Sequence, residues 1–231
     1  MSLSLTWHGH SAFGLSDGTH TVQIDPFITG NPSAMIDADS LEADAILLTH
    51  AHNDHVGDTV ALARRTGAFV TATFELAVWI GSQGVENVAP ANHGGTVAFP
   101  GGTVKFVPAW HTSSYDTGNG LVAVGIPAGL VVRFGGKTLY FAGDSCLFSD
   151  MQLIAEAGLD VAILPIGDNF TMGPADAARA TTWLKAPTIV PCHYNTFPPI
   201  QQDAQAFANL VTQASGATTL VLQPGETRDL E

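Results

Sequence analysis

Positive charge is scarce in this chain. Eight Lys and Arg stand against 21 Asp and Glu, for a formal net charge of −13. A surface of that sign repels polyanions and disfavours non-specific binding to nucleic acid or to an anionic membrane. Cysteine is scarcer still: Cys146 and Cys192 are the only two and form no Cys-x-x-Cys pair, which rules out a disulfide framework and points to a reducing cytosol. No window approaches the ~18 continuous apolar residues of a membrane span. The first ten residues also lack the basic stretch and apolar core of a leader, so a soluble, cytoplasmic, unprocessed protein is expected. Low-complexity linkers, charge blocks and short-period repeats are absent too. With 231 residues, 45% of them hydrophobic, one domain around one large core follows.

Short β-branched or alternating runs, punctuated by Gly, Pro, Asn and Asp, alternate with helical patterns. Strands are expected at Leu3–His8, Ala12–Leu15, Thr21–Asp25 and Ala45–Thr49. A helix should start near Asp54 and run past Arg64, followed by strand Ala68–Thr71 and helix Phe74–Ser82. The middle third is β-rich: Thr96–Phe99, Thr103–Pro108, Leu121–Ile126, then a hairpin joining Leu130–Phe134 to Thr138–Ala142 through Gly135-Gly136. Helix Asp150–Ala157, strand Val161–Pro165, helix Pro174–Leu184, strand Thr188–Pro191, helix Gln201–Ala214 and strand Thr218–Leu222 complete an α/β pattern. Two facing sheets with helices outside would bury these strands, and so would one doubly wound sheet.

The segment Leu47-Leu48-Thr49-His50-Ala51-His52-Asn53-Asp54-His55-Val56-Gly57 runs an apolar strand into His50, His52, Asp54 and His55. Imidazole and carboxylate together suit zinc, iron, manganese or nickel, and a turn between rigid elements can aim them at one point. The plainer alternative is a capping loop with solvated histidines. Later in the chain stand His111 in Pro108-Ala109-Trp110-His111-Thr112, Asp144 in Phe141-Ala142-Gly143-Asp144-Ser145, and His193 in Val190-Pro191-Cys192-His193-Tyr194.

His-x-His-x-Asp-His after a strand, followed by a distant His, Asp and His, resembles the metallo-β-lactamase superfamily over nearly the whole chain. Trp7-His8-Gly9-His10-Ser11, Asp25-Pro26-Phe27, the stretch from Pro165 to Pro174, and His193-Tyr194-Asn195-Thr196-Phe197-Pro198 narrow the likeness. They resemble a bacterial and archaeal family of metal-dependent hydrolases, and more distantly the L-ascorbate-6-phosphate lactonases and N-acylphosphatidylethanolamine phospholipase D. The resemblance implies a four-layer αββα sandwich with His50 and His193 at the carboxyl ends of strands on one rim. It also implies two divalent transition-metal ions per chain, zinc first, with manganese, nickel or iron as alternatives. His50, His52 and His111 would hold one ion, Asp54, His55 and His193 the other, with Asp144 bridging. A metal-bridging hydroxide would then attack a small-molecule ester, lactone or phosphodiester.

His8 and His10 are two apart, so a strand would put both on one face. Near the centre, His10 joins Asp54 as a candidate catalytic residue, contacting substrate or supporting a ligand; a buried histidine bonded to backbone is the other reading. Asp25, Asp168 and Asp176 are candidate acceptors for ligand imidazoles, each equally suited to capping a turn or helix. Cys192 should face the core opposite His193, and Cys146 should pack. His20 and His93 belong to turns, and Ser11 and Ser145 read as turn residues. Lys105, Arg133 and Lys137 read as solvated. Phe170 and Met172, like Tyr194, Asn195 and Phe197, either line a pocket or pack in the core.

Two other functions fit the same residues: a single-iron thiol or persulfide oxygenase, because ligands do not fix the metal, and a non-catalytic metal-binding protein. A flavodi-iron enzyme is excluded, since position 52 is His and no flavin domain is present. The expected partner is a small molecule, with homo-oligomers left open.

Overall fold

The apolar run 45–48 serves two cores at once, and that division sets the architecture. Ala45 and Leu47 lie in the core between two sheets, whereas Ile46 and Leu48 lie in a second core beneath helices, as the two-residue period of a strand dictates. In this computed structural model, which describes residues 2–230, the chain begins with β1 (Leu3–Gly9), β2 (Ala12–Ser16), β3 (Thr21–Ile24) and β4 (Ala45–Leu47). Then come α1 (Asn53–Val56), α2 (Thr59–Thr66), β5 (Phe69–Thr73), α3 (Phe74–Ser82), β6 (Val88–Ala91), β7 (Thr96–Phe99) and β8 (Gly102–Pro108). A ribbon of β9 (Ser114–Asp116) and β10 (Leu121–Ala123) precedes β11 (Ala128–Phe134), β12 (Lys137–Phe141), α4 (Met151–Ile154) and β13 (Val161–Pro165). The chain closes with α5 (Pro174–Leu184), β14 (Thr188–Cys192), α6 (Ala204–Ser215), β15 (Thr218–Thr219) and β16 (Thr227–Leu230).

The first sheet has the order β16-β1-β2-β3-β4-β5-β6 and the second β15-β14-β13-β12-β11-β8-β7. Phe13, Leu15 and Ile24 of the first sheet share one core with Phe106, Leu130 and Phe141 of the second. Fully burying each such side chain contributes about 1.5–3 kcal/mol. Leu62, Leu76 and Ile80 of α2 and α3 pack on Val70 and Ala72 outside the first sheet, and α5 lies against β13 of the second. The layers are therefore αββα, and the doubly wound alternative is ruled out.

Strand direction decides where the loops gather. β1, β3, β4, β5 and β6 run one way in the first sheet, as do β8, β12, β13 and β14 in the second. His10 and Asp25 directly follow β1 and β3, and His193 directly follows β14; His50, His111 and Asp144 each stand three residues beyond β4, β8 and β12.

Most expected elements are present, and the departures have local causes. The helix expected from Asp54 onward is two helices, broken at Gly57 (φ 42°). β4 stops at Leu47 because the Thr49 N–H donates to Asp25 Oδ1 rather than to the ladder. The helix expected from Gln201 begins at Ala204, where Asp203 caps the N–H groups of Gln205 and Ala206. The unexpected β6 contains Pro90 on the sheet edge, where a missing N–H is tolerated.

Gly57 joins the histidine-rich segment to the loop after β3. A Cβ there would lie 2.5 Å from Phe27 Cα and from Pro26 O, and its backbone sits where side chains are strained. Gly57→Ala should therefore lower unfolding free energy by about 2 kcal/mol or more, measured by urea denaturation. A change below ~0.5 kcal/mol would mean the loops part without cost.

Candidate metal centre

The segments meeting at the rim are held in unusual backbone conformations. His10, Asp25 and His193 have φ of 55°, 45° and 54°, values that non-glycine residues keep only when their surroundings enforce them. The enforcement is visible at His10, whose carbonyl accepts from the His193 N–H at 2.9 Å and from Trp7 Nε1–H at 3.0 Å. These bonds tie the end of β1 to the end of β14, across the seam between the sheets.

Asp25 organises the histidines. Its carboxylate accepts from the Thr49 N–H at 2.8 Å, from the Thr49 hydroxyl at 2.5 Å and from His55 Nδ1–H at 2.8 Å. With its proton committed to Asp25, the Thr49 hydroxyl can only accept from His50, and His50 Nδ1 lies 3.0 Å away. Both imidazoles thus commit Nδ1–H outward and turn Nε2 toward the centre. Of the two roles open to Asp25, acceptor for an imidazole or cap, the side chain takes the first, on His55.

Two groups of donors result. His50, His52, His111 and Asp144 bring one atom each within 4.8 Å of one another, as do His10, Asp54, His55 and His193. Asp144 sits between the groups: its Oδ2 is 3.1 Å from His193 Nε2, 3.5 Å from His111 Nε2 and 4.0 Å from His50 Nε2, and its Oδ1 is 3.4 Å from His55 Nε2. His52 points Nδ1 at His50 Nε2, 3.0 Å away, with Thr112 Oγ1 3.3 Å from its outer nitrogen.

The electrostatics favour a cation here. Burial pulls the His50, His52 and His111 pKa values down, which keeps these rings neutral and their lone pairs free. Burial also pulls on His55, but the Asp144 and Asp25 carboxylates outweigh it and hold its pKa well above the usual imidazole range. Burial pushes the Asp144 pKa up, yet the His193 and His55 rings overcome it and keep the carboxylate ionised. A divalent ion could take the place of the proton held so firmly at His55. His55 Nε2 and Asp144 Oδ1 are buried without a hydrogen-bond partner, an arrangement that is costly unless a ligand claims both. The residues present therefore fit a metal.

His10 is fully buried; its Nε2 lies 3.0 Å from Asp54 Oδ2 and its Nδ1 2.9 Å from Thr196 Oγ1. Burial depresses its pKa to about 4, so a neutral ring donates Nε2–H to Asp54 and accepts the Thr196 hydroxyl proton. The backbone-bonded alternative fails for its side chain. His8 does not share its face: a bulge between Trp7 and Gly9 turns the chain, leaving His8 buried beside Gln23.

Asp168 and Asp176 are exposed, the first turning its backbone around Phe170 and Thr171 and the second in the first turn of α5. Cys192 is buried as expected, but Cys146 is exposed rather than packed. Of Phe170 and Met172, read as either pocket lining or core, Met172 is core and Phe170 is exposed. Thr49, Thr112 and Thr196 support the site, and no sequence signal distinguishes them from other threonines.

A family model described as a beta-lactamase superfamily domain matches residues 4–193. A UPF0173 metal-dependent hydrolase of Shouchella clausii is 53% identical over 231 residues, covering 99% of this chain and 100% of that one. Another from Thermus thermophilus is 52% identical over 223 residues, covering 96% and 97%. The structure of a metallo hydrolase from the hyperthermophilic archaeon Ignicoccus hospitalis superposes with a TM-score of 0.90 at 37% identity, covering 100% and 99%.

Removing the Asp25 carboxylate would strand three buried donors. Asp25→Ala should cost about 3 kcal/mol of stability in metal-free protein, read from chemical denaturation. A cost within ~0.5 kcal/mol would show that Thr49 and His55 hold their places without it.

Proposed function

Because the chain belongs to the beta-lactamase superfamily, and within it to the UPF0173 metal-dependent hydrolases, we propose that it is a metal-dependent hydrolase acting through a two-ion centre on a small-molecule ester, lactone or phosphodiester. The observation that carries this reading is Asp144, an ionised carboxylate buried among four imidazoles with one oxygen that makes no hydrogen bond.

His50, His52 and His111 would hold one ion and Asp54, His55 and His193 the other, with Asp144 shared. The donor set suits zinc, and manganese, nickel or iron are compatible. Bound there, divalent ions supply Lewis acidity and an activated water at neutral pH. The chain's own contribution is orientation: Asp25 fixes one ring in each group, and Thr112 steadies His52. Asp54 and His10 form the proton-handling pair, with the proton on His10 Nε2 shared toward Asp54 Oδ2. Thr196 keeps that proton on Nε2 by occupying Nδ1.

The acidic balance supports a small substrate over nucleic acid, and two unpaired cysteines support a reducing cytoplasm. Among the described residues no helix is long and apolar enough to cross a membrane.

Elemental analysis of zinc- or manganese-reconstituted protein should find close to two ions per chain; less than about half an ion would remove the two-ion reading. Asp144→Ala should lose metal and at least about a hundredfold in kcat/KM on any cleaved ester, beyond what loss of a ligand's supporting partner alone costs. Turnover retained in Asp144→Ala would contradict the shared-ligand role.

A further inference from the structure

Every connection leaving a donor-bearing strand end is free of Lys and Arg: residues 10–11, 25–44, 48–58, 109–127, 142–150 and 193–203 contain none, nor do residues 166–173 after β13. The cations lie elsewhere. Arg64 and Arg65 end α2, Lys105, Arg133 and Lys137 stand on β8, β11 and β12, Arg179 and Lys185 belong to α5 and its C-terminus, and Arg228 is on β16. Among the described residues, no Lys or Arg therefore stands on a connection at this rim to hold a phosphate. Asp37, Asp39, Asp58, Asp116, Asp150 and Asp203 on the same connections would repel one beyond the reach of the ions.

The rim carries exposed apolar groups instead. Trp110, beside the ligand His111, is 66% exposed, and Phe170 is 56% exposed. Ser145, next to Asp144, ties down Trp110 and the segment that carries Phe170: it accepts from the Trp110 N–H with its hydroxyl oxygen at 3.0 Å and, two residues past Phe170, from the Met172 N–H with its carbonyl at 2.9 Å. Leu121 and Val122 of the β9–β10 ribbon are exposed too, and Asn53 holds that ribbon to the His50–His55 segment through two hydrogen bonds with Asp116. Large apolar side chains left in water around a polar centre mark a place for an apolar ligand.

We propose that the site selects an uncharged carboxylic ester or lactone bearing an apolar acyl group, and that Trp110 and Phe170 seat that group. This rests on the hydrolase reading above. Water adds across the acyl C–O bond: hydroxyl joins the acyl carbon, the proton goes to the departing alkoxide, and an acid and an alcohol result without an oxidant or reductant.

The test uses zinc-loaded protein with p-nitrophenyl acetate, butyrate and hexanoate and with bis(p-nitrophenyl) phosphate. Wild-type kcat/KM should climb from acetate to hexanoate, with the phosphodiester at least about a hundredfold below hexanoate. Trp110→Ala and Phe170→Ala should each reduce the hexanoate-to-acetate ratio about tenfold, and Trp110→Phe should restore most of it. A readout independent of turnover is tryptophan emission: hexanamide, but not acetamide, should shift it to the blue, and Trp110→Ala should abolish the shift. A flat chain-length series, a ratio unchanged in both alanine variants, or preference for the phosphodiester would overturn the proposal. So would variants that only dissociate an oligomer. If protein loaded with two ions cleaves none of these compounds, the hydrolase reading falls, and the hexanamide titration still decides whether the apolar seat exists.

Discussion

The Asp25 carboxylate is the contact on which the centre depends. It is buried at the end of a strand and makes a short bond to the Thr49 hydroxyl, and the direction of that bond propagates. Thr49 must then accept from His50, while Asp25 itself accepts from His55. One carboxylate therefore sets which nitrogen of one ring in each donor group faces inward. Neutral imidazoles carry a lone pair on either nitrogen, and nothing in the rings themselves would choose the inward one. The choice is made one residue back from the site, and it costs the chain a left-handed backbone at Asp25.

Strand direction does the rest. Strands that run in one direction, whether or not they are neighbours, bring their carboxyl ends to one rim, so residues far apart in sequence arrive together without any long loop reaching for them. The same rim collects the segments that lack positive charge and keep Trp110 and Phe170 in water. The exposed apolar groups and the candidate metal donors thus share a single topological cause.

The cluster of donors was legible from the His-x-His-x-Asp-His spacing after the apolar run Ala45-Ile46-Leu47-Leu48 and from the resemblance it carries, and the fold gathers those residues within reach of one another. Asp25 was visible only as one of three aspartates, since its hold on His55 depends on a contact across 30 residues of sequence. The relation of His8 to His10 was misread because a bulge breaks the period that seemed to link them. Cys146 was read as packed, yet it is solvent-facing, its N–H bonded to the Trp110 carbonyl. Thr49, Thr112 and Thr196 had no signature at all: a hydroxyl acquires its role from the acceptor it meets, and only the fold supplies that acceptor.

Each donor group also draws on both halves of the sandwich. His50 and His52 come from the first sheet and His111 and Asp144 from the second, while His193 crosses over to join His10, Asp54 and His55. An ion held there would act as a clasp across the seam. Binding only the docked sheets, it would add RT ln(1 + [M]/Kd) to folding stability, about 2.7 kcal/mol at a hundred times its dissociation constant. Persistence of the protein in the cell would then follow metal supply: a starved cell would hold a looser sandwich, more open to proteases, whether or not any substrate is present.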